Sequence, residues 1–195
     1  MNETLRLGEV VTIERGTTYK SALIGLDGPV LLGLGTIQRN GGFRSDSLRT
    51  YGGDSPEKLL VKPGQIYASL KDVTQSADLL GAVARLPESG PIGRLTQDTV
   101  RLDLRDDRVS LDYLYWVLRT PQYREYCRSH LTGTTNLGLP REDFLAFEFP
   151  APSAKRLALV DALSALDAKI ESNRRAIGLM EELAQLQFGR LFHIE

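Results

Sequence analysis

The last part of the chain carries apolar residues at spacings that alternate between four and three. This seam runs from Leu159 to Leu191, with Asn173 and Gln187 as polar members. It predicts one helix from Ser153 to about Phe188 that pairs with a second helix. The alternative is a core helix packed on its own domain. The residues expected in a dimer interface are Leu159, Leu163, Leu166, Ile170, Asn173, Ile177, Met180 and Leu191.

Shorter patterns fill the first 152 residues. Runs rich in β-branched and aliphatic residues, separated by turns that contain Gly or Pro, predict strands over 30–34, 47–51, 65–70, 80–86 and 99–104. Apolar residues at i, i+3, i+4 and i+7 predict a helix over 111–119, with Ser110 as its N-cap. Thr120 and Pro121 are typical of the start of a second helix, which ends near His130.

These elements predict an α+β fold, because the helices do not alternate with the strands. From Ser153 to Phe188 the chain contains no Pro and only one Gly. This change in composition divides the chain into a domain over 1–152 and a helix over 153–195.

Composition limits the cellular setting and the partners. The chain has 195 residues and a net charge of −1, so it lacks the basic surplus of a small autonomous nucleic-acid binder. The single cysteine, Cys127, cannot form an internal disulfide, which favours a reducing compartment. No apolar run approaches the roughly 18 residues of a membrane span, and the first residues lack a signal-peptide pattern. We therefore expect a cytoplasmic protein with no membrane segment.

Catalytic motifs are scarce. The only histidines are His130 and His193, so neither a zinc site nor a Ser-His-Asp triad has enough members. Gly33-x-Gly35 is followed by turn residues rather than by the helix of a dinucleotide site. We expect a protein that is not an enzyme and binds no cofactor or metal of its own. Two alternatives stay open: a small enzyme with an unrecognised acid/base pair, and a structural coiled-coil adaptor.

Five stretches, taken in order, resemble a known family. Residues 7–18 are similar to a domain opening that ends in Arg-Gly, and 61–66 to a Lys-x-Gly-Asp-Ile element, with Gln65 in place of Asp. Residues 113–118 are similar to an aromatic helix, and 133–136 with 147–152 to a loop and an exit strand. This order resembles the specificity subunit of type I restriction–modification enzymes. Ser153-Ala154-Lys155-Arg156 departs from the Pro-Pro-Leu-x-Glu-Gln usual at the start of that family's helix.

The resemblance implies a non-catalytic reader of double-stranded DNA. Family members carry two target-recognition domains and two antiparallel helices, whereas this sequence carries one of each. It therefore resembles a half-length subunit that forms a homodimer through its helix and reads half of a bipartite target. Methyltransferase and restriction subunits would dock on it, and S-adenosylmethionine and ATP would bind only to those partners.

Given this resemblance, four polar loops are candidates for DNA contact, because they carry side chains that bond to base edges or phosphates. We number them in chain order: the first loop is 17–20, the second 36–40, the third 71–76 and the fourth 132–136. The candidate residues are Thr17, Thr18, Tyr19, Lys20, Thr36, Gln38, Arg39, Asn40, Lys71, Thr74, Gln75, Thr134, Thr135 and Asn136.

Overall fold

The computed structural model describes residues 3–74 and 76–192. The chain forms two compact units, which divide between Pro152 and Ser153. The first unit mixes strands and helices, and the second is a single helix, so the prediction of an α+β fold with a long terminal helix is confirmed.

In the described part of the chain, the first unit contains eleven short strands. They are β1 (Thr4–Arg6), β2 (Val11–Arg15), β3 (Val30–Leu32), β4 (Leu60–Val61), β5 (Ile66–Ser69), β6 (Lys71–Asp72), β7 (Val83–Arg85), β8 (Gly93–Leu95), β9 (Thr99–Leu104), β10 (Leu137–Gly138) and β11 (Glu148–Pro150). An antiparallel sheet has the order β2-β9-β5-β7. A second sheet has the order β3-β8-β4, with β3 parallel to β8. Two further pairs, β1-β11 and β6-β10, are antiparallel.

Apolar residues from both larger sheets form one hydrophobic core. Leu32 of β3 and Leu95 of β8 pack in the same cluster as Tyr67 of β5 and Ala84 of β7. Burial raises the pKa of the Tyr67 hydroxyl. That hydroxyl therefore stays protonated and donates hydrogen bonds to both oxygens of Thr36. A polar side chain thus enters the core with its hydrogen bonds satisfied.

Four short helices complete the first unit: α1 (Leu7–Val10), α2 (Leu111–Val117), α3 (Pro121–Ser129) and α4 (Arg141–Ala146). The Ser110 and Thr120 hydroxyls accept from the Tyr113 and Tyr123 amides, so both predicted N-caps are present. The α3 helix approaches Gly81 closely: a Cβ atom there would overlap Cys127 Sγ, and the φ of +68° also favours glycine.

The second unit is the helix α5 (Ala154–Phe192), which has 39 residues and is therefore about 58 Å long. Most of the predicted seam is exposed: Leu159, Leu166 and Met180 are 60%, 61% and 64% accessible.

The structure departs from the predicted strands where pairing depends on distant residues. The predicted strand over 47–51 is wrong, because Thr50 and Tyr51 form only isolated bridges, to Val30 and Ile24. The strand Val11–Arg15 was not predicted, although its Val and Ile alternate with polar residues. The prediction over 99–104 matches β9, which lies between two neighbours in its sheet.

Candidate nucleic-acid interface

The third loop is held by a buried carboxylate at its start. Asp72 is inaccessible to solvent. Its Oδ1 accepts from the Thr74 amide at 2.7 Å and from the Thr74 hydroxyl at 2.8 Å, and its Oδ2 accepts from the Leu79 amide at 2.7 Å. Bonds from a carboxylate to backbone N–H groups are among the stronger hydrogen bonds in proteins. They fix the backbone while Val73 and Ser76 stay exposed to solvent.

Pairing between β6 and β10 brings the fourth loop beside the third. Asp72 pairs with Leu137 and Lys71 with Gly138, and the Leu139 amide bonds to the Leu70 carbonyl at 3.0 Å. Thr132 and Gly138 exchange two backbone hydrogen bonds, which close the loop over 132–138. Thr134, Thr135 and Asn136 are exposed within it.

The second loop joins the same surface through Asp78. The Asn40 amide donates to the Asp78 carbonyl at 2.9 Å. The Asp78 carboxylate lies 3.8 Å from Arg39 and 3.7 Å from Arg128, and Arg128 also donates to the Asn40 side chain at 3.3 Å. We call the second, third and fourth loops together the three-loop surface.

Two candidates in the second loop have structural roles. Thr36 is buried, and its hydroxyl donates to the Gly33 carbonyl and accepts from Tyr67. The Thr36 hydroxyl is therefore engaged inside the domain, and its contact with DNA stays a prediction. Gln38 is half-buried and donates to the Phe43 carbonyl at 2.7 Å, which closes the turn that presents Arg39 and Asn40.

The first loop makes a different set of contacts. Thr17 Oγ1 accepts from the buried Arg94, whose guanidinium also donates to the Thr18 carbonyl and lies 4.9 Å from the Tyr51 ring centroid. The Lys20 amide donates to the Tyr51 hydroxyl at 3.2 Å, and the Tyr19 ring meets the Tyr51 ring edge-on. These contacts go to Arg94 and Tyr51, outside the three-loop surface.

Sequence reasoning missed two arginines beside the three-loop surface, because both belong to the helical region rather than to a loop. Arg128 lies in the last turn of α3, just before the fourth loop. Its closeness to that loop in the sequence could have identified it as a candidate. Arg119 follows α2 and packs over the Tyr115 and Trp116 rings, at 4.8 and 4.7 Å from their centroids. A Cβ atom at Gly41 would come within 3.1 Å of Arg119, which places this residue against the second loop. Gln75 lies outside the described residues.

The three-loop surface is basic and rich in hydrogen-bond donors. Arg39, Lys71, Arg119 and Arg128 lie on or beside it, and Asp78 is shared by two of these arginines. Such a surface can bind a polyanion and bond to base edges. Among the described residues, no group of three His, Cys, Asp or Glu side chains could hold a metal ion, and no helix could cross a membrane.

Comparison with known proteins finds similarity in solved structures rather than in sequence families. No protein-family model matches the sequence, and no curated protein matches it significantly. Solved structures do match. The type I restriction–modification S subunit from M. genitalium aligns with a TM-score of 0.62 at 18% identity, over 87% of this chain and 40% of that chain.

This chain has the fold of a type I restriction–modification S subunit. The HsdS subunit from Thermoanaerobacter tengcongensis has a TM-score of 0.55 at 17% identity, over 89% of this chain and 39% of that one. A third chain comes from a structure on the assembly and conformational transition of a type I restriction–modification system. It aligns with a TM-score of 0.57 at 18% identity, over 89% of this chain and 40% of that chain. This chain therefore spans about 40% of the length of these S-subunit structures.

The role assigned to Asp72 predicts a loss of stability in the Asp72→Asn variant. The amide replaces one acceptor oxygen with a donor and leaves a buried N–H unpaired, which should cost about 1–3 kcal/mol. Urea unfolding followed by the fluorescence of Trp116, the single tryptophan, measures this loss. Asp46→Asn, which changes an exposed partner of Arg44, is the control and should leave stability unchanged. Equal stability of the two variants would contradict the role given to Asp72.

Proposed function

We propose that this chain is a DNA sequence-recognition subunit of a type I restriction–modification system and reads half of a bipartite target. The observation that carries the proposal is the three-loop surface: loops about 35 and 60 residues apart in sequence present polar and basic groups together, on a domain with the S-subunit fold. S-subunit structures are more than twice as long as this chain, which leaves room for a second comparable unit.

Within the proposal, the exposed side chains of the three-loop surface contact DNA. Arg39 and Asn40 are suited to guanine and adenine edges, whereas Lys71 is suited to phosphate. Thr134, Thr135 and Asn136 add hydroxyl and amide groups from the fourth loop, and Gln75 would extend the third. Thr17, Thr18, Tyr19 and Lys20 form a separate contact segment. Gln38 and Thr74 act by holding their loops.

The chain itself would be non-catalytic in this scheme. S-adenosylmethionine and ATP would bind to the methyltransferase and restriction subunits, and these subunits would also supply basic surface to a chain whose net charge is only −1. The assembly would act on DNA in the cytoplasm.

We further propose that the missing half is a second copy of this chain, paired through α5. The seam residues Leu159, Leu166, Ile170 and Ile177 are between 49% and 61% exposed, and a partner helix would bury them. Burial of apolar area at roughly 25 cal/mol per Å² would drive the pairing.

The charges that flank the seam favour an antiparallel arrangement. Parallel, in-register helices would place Lys169 beside the partner's Arg174, which is repulsive. An antiparallel pair with Ile170 opposite the partner's Asn173 instead places Asp167 beside the partner's Arg174, twice by symmetry. This register also puts Leu166 opposite the partner's Ile177.

A second apolar stripe on α5 is the proposed docking face for methyltransferase subunits. Leu179, Leu183 and Leu186 follow the spacing i, i+4, i+7, and all three are more than half exposed. They lie beside the seam rather than on it, so a two-helix dimer would leave most of this stripe uncovered.

The pairing predicts that Leu166→Asp/Ile170→Asp is monomeric, because two charges would enter the buried seam at a cost of at least about 3 kcal/mol. Sedimentation measures the mass, and Ala165→Asp/Ala168→Asp, off the seam, should remain dimeric.

A charge exchange tests the register of the two helices. Asp167→Arg should weaken the dimer, because it places an arginine beside the partner's Arg174, and Asp167→Arg/Arg174→Asp should restore it. A monomeric wild-type chain would contradict the pairing.

The docking face predicts a separable phenotype. Leu179→Glu/Leu186→Glu should remain dimeric but lose co-purification with the methyltransferase subunit, because an apolar contact would face unpaired carboxylates. Gln185→Glu, at an exposed position of α5 that lies off both the seam and this stripe, should retain both properties. Full methyltransferase binding by the double variant would place the docking face elsewhere.

A twofold dimer predicts the form of the target. Two identical domains related by a twofold axis read the same bases on opposite strands, so the methylated motif should be an interrupted palindrome. Methylome sequencing of cells that contain only this chain and its methyltransferase identifies the motif. Arg39→Ala should lower the discrimination free energy between bases by about 1–3 kcal/mol at one position, in both half-sites. Lys71→Ala should weaken binding to DNA of every sequence by a similar factor. Two unrelated half-sites would show that a different recognition domain completes the reader.

A further inference from the structure

The α3 helix places a buried arginine beneath the three-loop surface. Arg124 is 4% exposed, and the partners described for its guanidinium are backbone carbonyl oxygens rather than a carboxylate. Nη1 donates to Leu80 at 2.6 Å, and Nη2 donates to Ala77 at 3.1 Å and to Asp78 at 2.9 Å. A buried cation is costly without strong hydrogen bonds, so these contacts tie α3 firmly to the segment 77–80.

One of these carbonyls also binds the second loop. The Asp78 oxygen accepts from Arg124 Nη2 and from the Asn40 amide, each at 2.9 Å. The same short segment includes Leu79, whose amide donates to the carboxylate of Asp72. Through segment 77–80, the guanidinium of Arg124 is therefore connected to both the second and the third loop.

Backbone conformation singles out the same junction. In the described part of the chain, the non-glycine residues with positive φ are Asn40, at 62°, and Ala77, at 52°. Such conformations persist in non-glycine residues where the surroundings impose them, and they concentrate at functional sites. Both residues belong to the network of Arg124: Ala77 accepts from its guanidinium, and Asn40 shares the Asp78 carbonyl with it.

We propose that Arg124 is a specificity-determining positioning residue, which fixes the second and third loops relative to each other while remaining out of reach of DNA. This inference rests on the proposed function. Base readout needs donors and acceptors in a fixed geometry, whereas a flexible lysine reaches phosphates from many positions. Loss of the Arg124 contacts should therefore reduce discrimination between bases more than overall affinity.

Arg124→Lys is the informative variant, because an ammonium keeps the charge but cannot reach three separate carbonyls as the planar fork does. Arg101→Lys is the matched control. Arg101 is also partly buried and donates to the carbonyls of Lys58 and Leu60, outside the four loops. Each chain is assembled with its methyltransferase subunits. Methylation rates are then compared between the wild-type motif, found by methylome sequencing, and duplexes that carry one substituted base pair.

We expect Arg124→Lys to lower the discrimination ratio by about tenfold at a small set of positions, equally in both half-sites, as expected when one bidentate contact is misaligned. Arg101→Lys should leave every ratio unchanged. If Arg124→Lys slows methylation of all duplexes alike, or keeps the wild-type ratios, the inference is wrong although the proposed function stands. If the wild-type chain directs no methylation, the proposed function itself fails.

Ala77→Gly keeps the test valid if Arg124→Lys does not fold. Glycine accepts the positive φ of this position without strain, so the variant should fold, but it also permits other backbone conformations. It should relax the same base positions as the loss of Arg124 contacts, to a smaller extent. Hydrogen exchange at the Asn40 amide, measured on the chain without DNA, should accelerate in either variant. Unchanged exchange together with unchanged discrimination would overturn the proposal.

Discussion

A loop outside sheets and helices can hold one shape only if its buried backbone groups find other partners. In this domain, charged side chains buried beneath the surface loops supply those hydrogen-bond partners. The carboxylate of Asp72 receives backbone amides, the guanidinium of Arg124 binds carbonyls of the neighbouring segment, and Arg94 does the same for the first loop. Each of these groups is nearly inaccessible to solvent. The surface loops are therefore built on an interior that is unusually polar at these points.

The same constraint explains what the sequence could predict about the loops. It identified which residues form loops more easily than which loops lie together on one surface. Thr, Asn and Gly identify turns because of their local hydrogen bonding and backbone freedom. Nothing local indicates that Thr36 bonds to Tyr67, because the two residues lie 31 positions apart in sequence. Two-residue strands such as β6 and β10 exist only through their pairing, so no periodicity could predict them.

Helices were predictable for the opposite reason, because their signals are local. Ser110 and Thr120 cap α2 and α3, and Pro121 occupies a position where its missing N–H costs nothing. The long helix follows from a repeat that needs no knowledge of the rest of the fold. Arg124 shows the limit of such reasoning. The spacing places it on α3, but its role depends on carbonyls more than 40 residues earlier in the chain.

Local ion pairs reconcile the nearly neutral charge with a basic three-loop surface. Arg44 with Asp46, Arg101 with Asp103, and Arg108 with Asp106 are each two residues apart and satisfy one another. Their hydrogen bonds hold the pKa of Asp46 and of Asp106 below the usual value, so these carboxylates stay charged and occupied. Such pairs contribute little to a long-range field, because their opposite charges lie within 3 Å and cancel at a distance. The arginines and the lysine of the three-loop surface are less completely neutralised, since Arg39 and Arg128 share the carboxylate of Asp78, and the further carboxylate near Arg128, that of Glu125, is exposed and 4.0 Å away. Net charge therefore understates the local attraction for a polyanion, and the placement of carboxylates decides where on the domain that attraction remains.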